Sequence, residues 1–307
     1  MPAQPVHRDP ADEVVLAGTS LTAESDAVVR TAAAVAGALG ARLHLAHFLP
    51  SPELPLGYPE LSPWLAMPAA EDRERDAVER LLWQIERCGV DPGRVAGTTV
   101  AEGPAHRLLT RMAESLAACL VVVGAREPGG AMAHLLGSTA ERVVRGGEAP
   151  VLVVRGELPL PPAALATVDL SPTSAAAFAD GLALLGRLGA TEVTALFVVS
   201  PFQARVGESE VDYDTAVAVA CGELRRLCER HAGALGRRPE PVVLRGVPRE
   251  HILDEAARRR VDLLVVGSHG RSGYQRFLLG SVSEEVLRRA ECSVLVMPAR
   301  APGEGTN

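Results

Sequence analysis

The 307-residue chain is predicted to be an α/β protein of two tandem doubly wound domains, each a five-stranded parallel sheet sandwiched by helices. Three observations predict this class. The length suits two domains of about 150 residues, the second half repeats the first, and short apolar runs alternate with longer amphipathic runs in each half. The apolar runs are continuous, which is typical of parallel strands buried on both faces.

The internal repeat is clearest from Gly103 to Val154, where the sequence matches a second stretch at a constant offset of 143 residues. A repeat of this length indicates whole domains, because solenoid units repeat at about 20 to 50 residues. The aligned pairs that bear most on function are Gly124 with Gly267, Gly137 with Gly280, and Ser138 with Ser281.

Toward the beginning of the repeats we expect an offset of 151 residues, because VVLAGTS is laid over ATVDLSPTS. The eight additional residues of the first repeat are assigned to a proline-rich insertion at 49–68. A second proline-rich run, 155–163, is interpreted as the interdomain linker. The first domain is therefore placed at 1–156 and the second at 157–307.

The elements of the second repeat are predicted from its apolar periodicity. The strand-like runs are LATVD, VTALFVV, PVVLRG, DLLVVGS and SVLVM. The helical patterns cover Ser174–Leu188, Asp214–Ala234, Arg249–Arg260 and Ser281–Ala290.

Composition excludes several classes of function. The net charge of −7 and an aromatic content of 3% disfavour nucleic acid and anionic membranes as partners. All 31 basic residues are arginine, so a Walker-type loop, a kinase of the usual kind and a Schiff-base enzyme are excluded, since each needs a lysine. No run reaches the roughly 18 to 20 apolar residues of a membrane span, and the first residues lack a signal-peptide pattern. We therefore expect a cytoplasmic protein.

The cysteines and histidines give no metal signature. Five cysteines without a CxxC pair indicate reduced thiols. Cys221 and Cys228 lie seven apart on one predicted helix, and core packing is favoured over metal binding because nothing completes a ligand set. His44 and His47 are three apart on a predicted strand and point to opposite faces, so they are interpreted as structural.

A glycine-rich pattern in the second repeat predicts an anion site. It reads Gly267-x-x-Gly270, nine residues, then Gly280-Ser281, and it lies between a buried strand and a helix. Glycines let the backbone approach a ligand closely, while a helix start offers free N–H groups and partial positive charge. Ser281 and Ser283 are expected to add hydroxyl donors there.

With its flanking strands, VVGSHGRSGYQRFLLGSVSEEVLRRAECSVLVM resembles the nucleotide motif of the universal stress protein family, and the duplication resembles that family's tandem two-domain members. The resemblance covers residues 12–298. It implies an adenine-nucleotide alpha-hydrolase-like, Rossmann-like fold that binds ATP, with Asp169 at the nucleoside end and Val198 and Val266 beside the adenine. Mg²⁺ would be held mainly by the phosphates. The implied nucleotide-binding residues are Thr167, Val168, Asp169, Val198, Val266, Gly267, His269, Gly270, Gly280, Ser281, Val282 and Ser283.

The first repeat departs from this motif at three positions. A glutamate in the loop would repel phosphate by a few kcal/mol at about 4 Å and a surface-like dielectric, and the loss of a hydroxyl donor costs about 1 kcal/mol. The departures are Gly18 for Asp169, Glu127 for Gly270 and Ala140 for Ser283.

Two interpretations of the first repeat follow. The favoured one is a structural partner that does not bind ATP in the usual way and pairs with the second repeat through its last strand, VLVV against VLVM. The alternative is a site altered for another ligand, with Tyr58 and Trp64 of the insertion as a lid.

Three functions are compared. The leading hypothesis is an ATP-binding stress-response or signalling protein without dedicated catalysis, in which slow ATP hydrolysis stays open and the two domains pair within the chain or across a homodimer. The second is a nucleotide-free scaffold for protein partners. The third, a weak ATPase or a small-molecule hydrolase using His269, lacks a partner residue in the sequence.

Overall fold

The computed structural model describes residues 12–50, 69–125, 136–200, 213–268 and 279–299, with the backbone of 205–206 and 209–210. Four sequence predictions lie outside these residues. They concern the insertion from residue 51 to 68, Glu127, His269 and Gly270.

The order of strands and helices confirms the predicted α/β class. Within the described residues, the strands are β1 (Val14–Thr19), β2 (Arg42–Leu49), β3 (Val95–Glu102), β4 (Leu120–Gly124), β5 (Val151–Val154), β6 (Ala164–Thr167), β7 (Val193–Val199), β8 (Arg205–Val206), β9 (Ser209–Glu210), β10 (Glu240–Arg245), β11 (Leu263–Gly267) and β12 (Ser293–Met297). The α-helices are α1 (Asp26–Leu39), α2 (Ala70–Arg87), α3 (Ala105–Ser115), α4 (Ser138–Gly146), α5 (Pro172–Arg187), α6 (Tyr213–Arg230), α7 (Pro248–Arg259) and α8 (Ser281–Arg289).

Ten strands form one continuous sheet in the order β10-β7-β6-β11-β12-β5-β4-β1-β2-β3. Each repeat contributes five parallel strands, with its first strand in the middle and its fourth and fifth toward the other repeat. The two halves join where β5 and β12 pair antiparallel, with Leu152 opposite Leu295. The pairing of the repeats through their last strands, VLVV against VLVM, is thus observed within one chain.

Both faces of the sheet are covered by helices, and each core runs through both repeats. Helices α1, α2, α5 and α6 pack on one face, and α3, α4, α7 and α8 on the other. Along β5 and β12 the side chains alternate, so Leu152 and Leu295 enter the first core while Val153 and Val294 enter the second. The repeats are therefore halves of a shared hydrophobic interior.

Four charged side chains connect α4 and α8 across the junction. Arg145 forms an ion pair with Glu284 at 2.9 Å, and Arg288 forms one with Glu141 at 3.1 Å. Each arginine also pairs with the glutamate four residues earlier in its own helix. These side chains are 24–46% exposed, so each pair contributes at most about 1 kcal/mol, and the cluster mainly sets how the helices face each other.

The segment between the repeats packs against both of them. Arg155 donates through Nη2 to the carbonyl of Leu287 at 2.9 Å, at the end of α8. Leu158 is buried and its N–H donates to Thr31 Oγ1 at 3.2 Å. Glu157 pairs with an arginine of α1. The linker is therefore held against the first repeat and the last helix.

The strand register corrects the alignment at the beginning of the repeats. Val15 pairs with Leu120, and Ala164 pairs with Leu263. Because Leu120 and Leu263 correspond at the offset of 143 residues, Val15 corresponds to Ala164, and the offset there is 149 rather than 151. The sequence alignment compares residue types over a short stretch. In the structure the register is determined by the hydrogen bonds of β1 to β4 and of β6 to β11.

The corrected register changes one of the three positions at which the first repeat departs from the nucleotide motif. Ser20, not Gly18, stands at the place of Asp169. The backbone supports this, because the next residues, Leu21 and Leu170, share a positive φ of 59° and 62°. A serine keeps a hydrogen-bonding group at this position, so the first repeat is less altered than the sequence indicated.

The insertion is also shorter than expected. Strands β2 and β7 end at Leu49 and Val199, which are 150 residues apart, whereas α2 and α6 begin at Ala70 and Tyr213, which are 143 apart. The first repeat therefore has seven additional residues between its second strand and second helix.

The two histidines of β2 form hydrogen bonds with different neighbouring strands. His44 Nε2 bonds Thr99 Oγ1 at 2.9 Å, and His47 Nδ1 donates to the Thr19 carbonyl at 2.9 Å. Burial lowers the pKa of both imidazoles. Their interpretation as structural residues agrees with these contacts.

We expect the free energy of unfolding to decrease as the pH falls from about 7.5 to about 5.5. The pKa values of His44 and His47 lie below the ordinary 6.5 when folded, so the unfolded chain takes up protons first. This contribution is complete above the unfolded pKa and is lost as the pH falls through the folded pKa. Urea unfolding at both pH values measures it.

A double variant provides the control for this pH dependence. His44→Asn with His47→Asn should give a shallower loss of stability over the same interval, because asparagine does not titrate. The carboxyl of Glu255, whose pKa is lowered to about 2 by hydrogen bonds from Arg258, stays ionised throughout. An unchanged slope in the double variant would contradict the assignment.

The cysteines are free thiols in the structure. Cys228 is fully buried in the core under α6, where burial raises its pKa to about 11, and Cys221 is half-buried on the same helix. Core packing of Cys228 therefore agrees with the sequence interpretation.

Candidate functional site

The carboxyl ends of β7, β6 and β11 lie side by side at one edge of the second repeat's half-sheet. Ligands of such sheets collect beyond these ends, where the strand order reverses. The structure brings four of the predicted residues to this edge. They are Thr167, Asp169, Val198 and Gly267.

The beginning of α8 is fastened to the end of β11. Gly280, which precedes the helix, donates its N–H to the Ser268 carbonyl at 2.8 Å. Ser283 Oγ donates to the Gly267 carbonyl at 2.6 Å. These bonds hold the helix N-terminus, with its partial positive charge, beside the strand end. The first-turn residues Ser281 and Val282 lie at the same place.

The role expected for Ser283 is corrected by this geometry. A hydroxyl carries one proton, and that of Ser283 is donated to the Gly267 carbonyl. Ser283 therefore connects the first turn of α8 to the end of β11, and its proton is engaged there rather than free for an anion. In the first repeat Ala140 replaces it and leaves the corresponding joint without this bond.

Asp169 is positioned by the turn that leads into α5. Its Oδ1 accepts the N–H of Ser171 at 2.9 Å, and its own N–H donates to Ser174 Oγ at 3.0 Å. Leu170, between them, has a φ of 62°. The carboxylate is thus held at the end of β6 in a defined orientation.

The predicted apolar residues divide between the two faces of the sheet. Val198 and Val266 belong to one core, with Val282 packed at its edge. Val168 is buried in the opposite core, under α5 and α6. Its side chain therefore lies on the other side of the sheet from Val198 and Val266.

The first repeat contains a cavity at the place that corresponds to this site. The cavity has a volume of about 760 Å³ and is lined by the ends of β1, β2 and β4, including Phe48 and Gly124, and by Gly137 before α4. The linker residue Arg155 and the turn 290–291 of the second repeat complete the lining. Ligand pockets in proteins commonly have this size.

Several residues that line this cavity were not identified from the sequence. Some of them could have been found from the internal repeat, and others could not. Phe48 and Thr139 occupy the places of Val198 and Val282, so the repeat itself is the signal that identifies them. Glu291 reaches the cavity from the other repeat, and no local pattern connects it with that site.

Among the described residues, no group of three or more His, Cys, Asp or Glu side chains is placed to hold a metal ion. Nor is any helix in the described ranges long and apolar enough to cross a membrane.

Comparison with known proteins identifies the family. The family model described as the universal stress protein family matches residues 13–155 and again 163–298. The chain belongs to the universal stress protein family. The double match confirms the tandem two-domain organisation that the repeat predicted.

Relatives of similar length support the assignment. A universal stress protein of Mycolicibacterium smegmatis is 32% identical over 307 aligned positions, covering 93% of this chain and 97% of that protein. One from Mycobacterium tuberculosis is 28% identical, covering 78% and 83%. A crystal structure of a universal stress protein from Archaeoglobus fulgidus shares the fold, with a TM-score of 0.63, 18% identity, and coverage of 94% and 97%.

Proposed function

We propose that the second repeat of this universal stress protein binds ATP, with Mg²⁺ held through the phosphates, and that occupancy modulates a stress-response or signalling role. The observation that carries the proposal is the pair of hydrogen bonds that join the beginning of α8 to the carboxyl end of β11. Ser283 donates to the Gly267 carbonyl, and Gly280 donates to the Ser268 carbonyl. A polyphosphate suits the helix N-terminus, and the apolar Val198 and Val266 suit a flat base.

The first repeat supports this site structurally. It supplies β5, half of each core, and the Glu141–Arg288 pair that contacts α8 from the other side. Movement of α8 on nucleotide binding would therefore reach the junction between the repeats. We propose that protein partners detect this movement of α8. The protein would act in the cytoplasm, with its repeats paired within one chain or in a homodimer.

Nucleotide binding is tested on protein purified without added ligand. Denaturation should release adenine nucleotide detectable by mass spectrometry, and calorimetry should show ATP binding with Mg²⁺. The variant Gly270→Glu, which copies the first repeat, should abolish binding. Ser283→Ala should weaken it by roughly fivefold, the equivalent of about 1 kcal/mol, because the junction of α8 with the end of β11 loses one hydrogen bond.

The matched control is Ala140→Ser in the first repeat, which should leave ATP affinity unchanged. The proposal would be overturned if the wild-type protein contains no nucleotide and does not bind ATP at millimolar concentration with Mg²⁺. ATP turnover in the same samples measures slow hydrolysis, with His269→Ala as its comparison.

A second candidate function is a nucleotide-free scaffold for protein partners. It is favoured by exposed apolar side chains on α2, where Leu82 is 53% and Trp83 is 57% exposed. If Gly270→Glu leaves the cellular function intact while Trp83→Ser abolishes it, the scaffold function is correct and ATP binding is dispensable.

A further inference from the structure

The second repeat has a cavity on the face of the sheet that lies opposite Val198 and Val266. The cavity has a volume of about 720 Å³ and is lined by the first residues of α5, the turn before them and the last turns of α6. Its apolar lining consists of Leu170, Ala175 and Leu227, which lie in or against the core under α5 and α6. Val198 and Val266 belong to the other core, so this cavity is separate from the proposed nucleotide site.

The first repeat shows which side chains occupy the equivalent place. Helix α1 corresponds to α5 at the offset of 149 residues, and α2 corresponds to α6 at the offset of 143. Asp26 and Arg87 therefore stand where the second repeat has Ala175 and Arg230. In the first repeat these two side chains form an ion pair. The second repeat has kept the arginine and lost the carboxylate, and a cavity lies in its place.

A second pair of equivalent positions reverses a charge. In the first repeat Arg80 donates through Nη2 to the Leu21 carbonyl at 3.3 Å. Glu223 and Leu170 stand at these two places in the second repeat, and both line the cavity. An ionised carboxylate and a carbonyl are both acceptors, so neither donates to the other. The second repeat has therefore also lost a cationic donor at this position.

The arginines of the cavity lack partners of opposite charge. Arg226 and Arg230 are four residues apart on α6, so their like charges repel each other on one helix face. Within the part of the chain that the structure describes, neither arginine forms an ion pair with a carboxylate. Glu229, which also lines the cavity, pairs with Arg238 at 3.2 Å. Trp83 stands at the place of Arg226 in the first repeat, so a second positive charge replaces an aromatic ring.

The missing groups define the chemistry of a ligand. A ligand with only a carboxylate leaves Glu223 without a donor, and a ligand with only an ammonium group leaves both arginines without an anion. Both losses are restored by one molecule that carries the two charges and an apolar body. The volume lies in the range of pockets that take drug-sized ligands, which is the size of a peptide of a few residues.

We propose that this cavity binds a short zwitterionic peptide with apolar side chains. The peptide carboxylate takes the place that the Asp26 carboxylate has in the first repeat and pairs with Arg230. The ammonium group lies between Glu223 and the Leu170 carbonyl, and the side chains pack on the apolar lining. This site is independent of nucleotide binding and adds a second class of ligand.

The probe is L-leucyl-L-leucine, titrated by calorimetry into the full chain. Its methyl ester lacks the carboxylate, and its N-acetyl form lacks the ammonium group. We expect the free dipeptide to bind at least tenfold more tightly than either modified form. Glu223→Gln should weaken binding of the free dipeptide and leave that of the N-acetyl form unchanged, because only the free dipeptide has an ammonium group to lose.

The chain offers matched variants for the carboxylate position. Arg230→Met removes the guanidinium, and Arg225→Met removes an exposed arginine of the same helix that does not line the cavity. Ala175→Asp places the carboxylate of the first repeat inside the cavity, and Ala183→Asp adds the same charge at an exposed position of α5. Arg230→Met and Ala175→Asp should weaken the dipeptide at least tenfold, and the other two variants should bind as the wild type does. Circular dichroism and thermal unfolding establish that all four are folded.

Four results would overturn the proposal. They are no saturable binding of the dipeptide at millimolar concentration, equal affinity of the free and modified forms, equal affinity in Arg230→Met and Arg225→Met, and a loss of ATP affinity in Arg230→Met that parallels its loss of dipeptide affinity. The last result would show that the cavity is not a separate site. Failure of the wild type to bind ATP contradicts only the proposed nucleotide function, so the two failures are distinguishable.

Discussion

Replacing Gln84 by leucine is expected to lower the free energy of unfolding by about 2–4 kcal/mol, because it leaves buried partners without hydrogen bonds. Gln84 is 1% exposed. Its Oε1 accepts from Thr19 Oγ1 at 2.8 Å, and its Nε2 donates to Ser25 Oγ at 3.0 Å and to Asp26 Oδ1 at 2.8 Å. Urea unfolding of the single variant measures the loss.

The electrostatics of this network explain why its loss is costly. Burial by itself would raise the pKa of Asp26, but hydrogen bonds from Arg87 and Gln84 outweigh that effect and hold the pKa below its usual value. Without Gln84 the carboxylate keeps only Arg87 among these two donors. A buried charge that loses a donor pays part of its desolvation cost uncompensated.

The second repeat supplies the control for this prediction. At the places of Thr19, Asp26 and Gln84 it has smaller or apolar residues, namely Val168, Ala175 and Leu227. The triple variant Thr19→Val, Asp26→Ala, Gln84→Leu should therefore recover most of the stability, to within about 1 kcal/mol of the wild type. If the triple variant is no more stable than Gln84→Leu alone, the cost does not come from unpaired polar groups.

Replacing Gly186 by alanine is expected to destabilise the protein by about 2–3 kcal/mol, although alanine is the better helix former. A Cβ on Gly186 would lie 1.9 Å from the Ala234 carbonyl oxygen, so the turn 232–235 would have to move away from α5. The backbone atom cannot rotate aside as a flexible side chain can. Chemical denaturation measures the difference.

Gly37 is the matched control, because it occupies the same place in α1 that Gly186 occupies in α5. A Cβ there meets only Arg94 Nη1, at 3.1 Å, and this end of a long side chain can shift. Gly37→Ala should be neutral or stabilising by up to about 1 kcal/mol. Equal effects of the two substitutions would show that helix propensity, and not the contact with the turn, decides the outcome.

The comparison of Gly186 with Gly37 shows how much of this fold can be predicted from local sequence. The duplication and the apolar runs predicted the strands and helices of the second repeat closely, since both depend on residues near in the chain. The helix predicted at Asp214–Ala234 ends at Arg230, and a separate turn follows it. Tertiary packing decides that Gly186, and not Gly37, lies against a distant turn. This contact cannot be predicted from the local sequence.

The candidate site divides in the same way. The strand end at Gly267 and the helix start at Gly280 could be predicted, because glycine and a helix N-terminus have local signatures. The engagement of the Ser283 proton could not, because Ser283 and Gly267 belong to different elements and lie 16 residues apart. The entry of Val168 into the opposite core follows the alternation of side chains along β6, since Ala164 and Ala166 enter the same core.

Local patterns in the chain were sufficient to predict a tandem pair of α/β repeats of the universal stress protein family, with glycines before the last helix. Long-range contacts set the register in which Ser20 is equivalent to Asp169, the antiparallel junction of β5 and β12, and the cavity that both repeats line. The difference arises because periodicity and turn chemistry act between neighbours in the chain. Register, side-chain hydrogen bonds and enclosed space arise only when distant segments compete for the same partners.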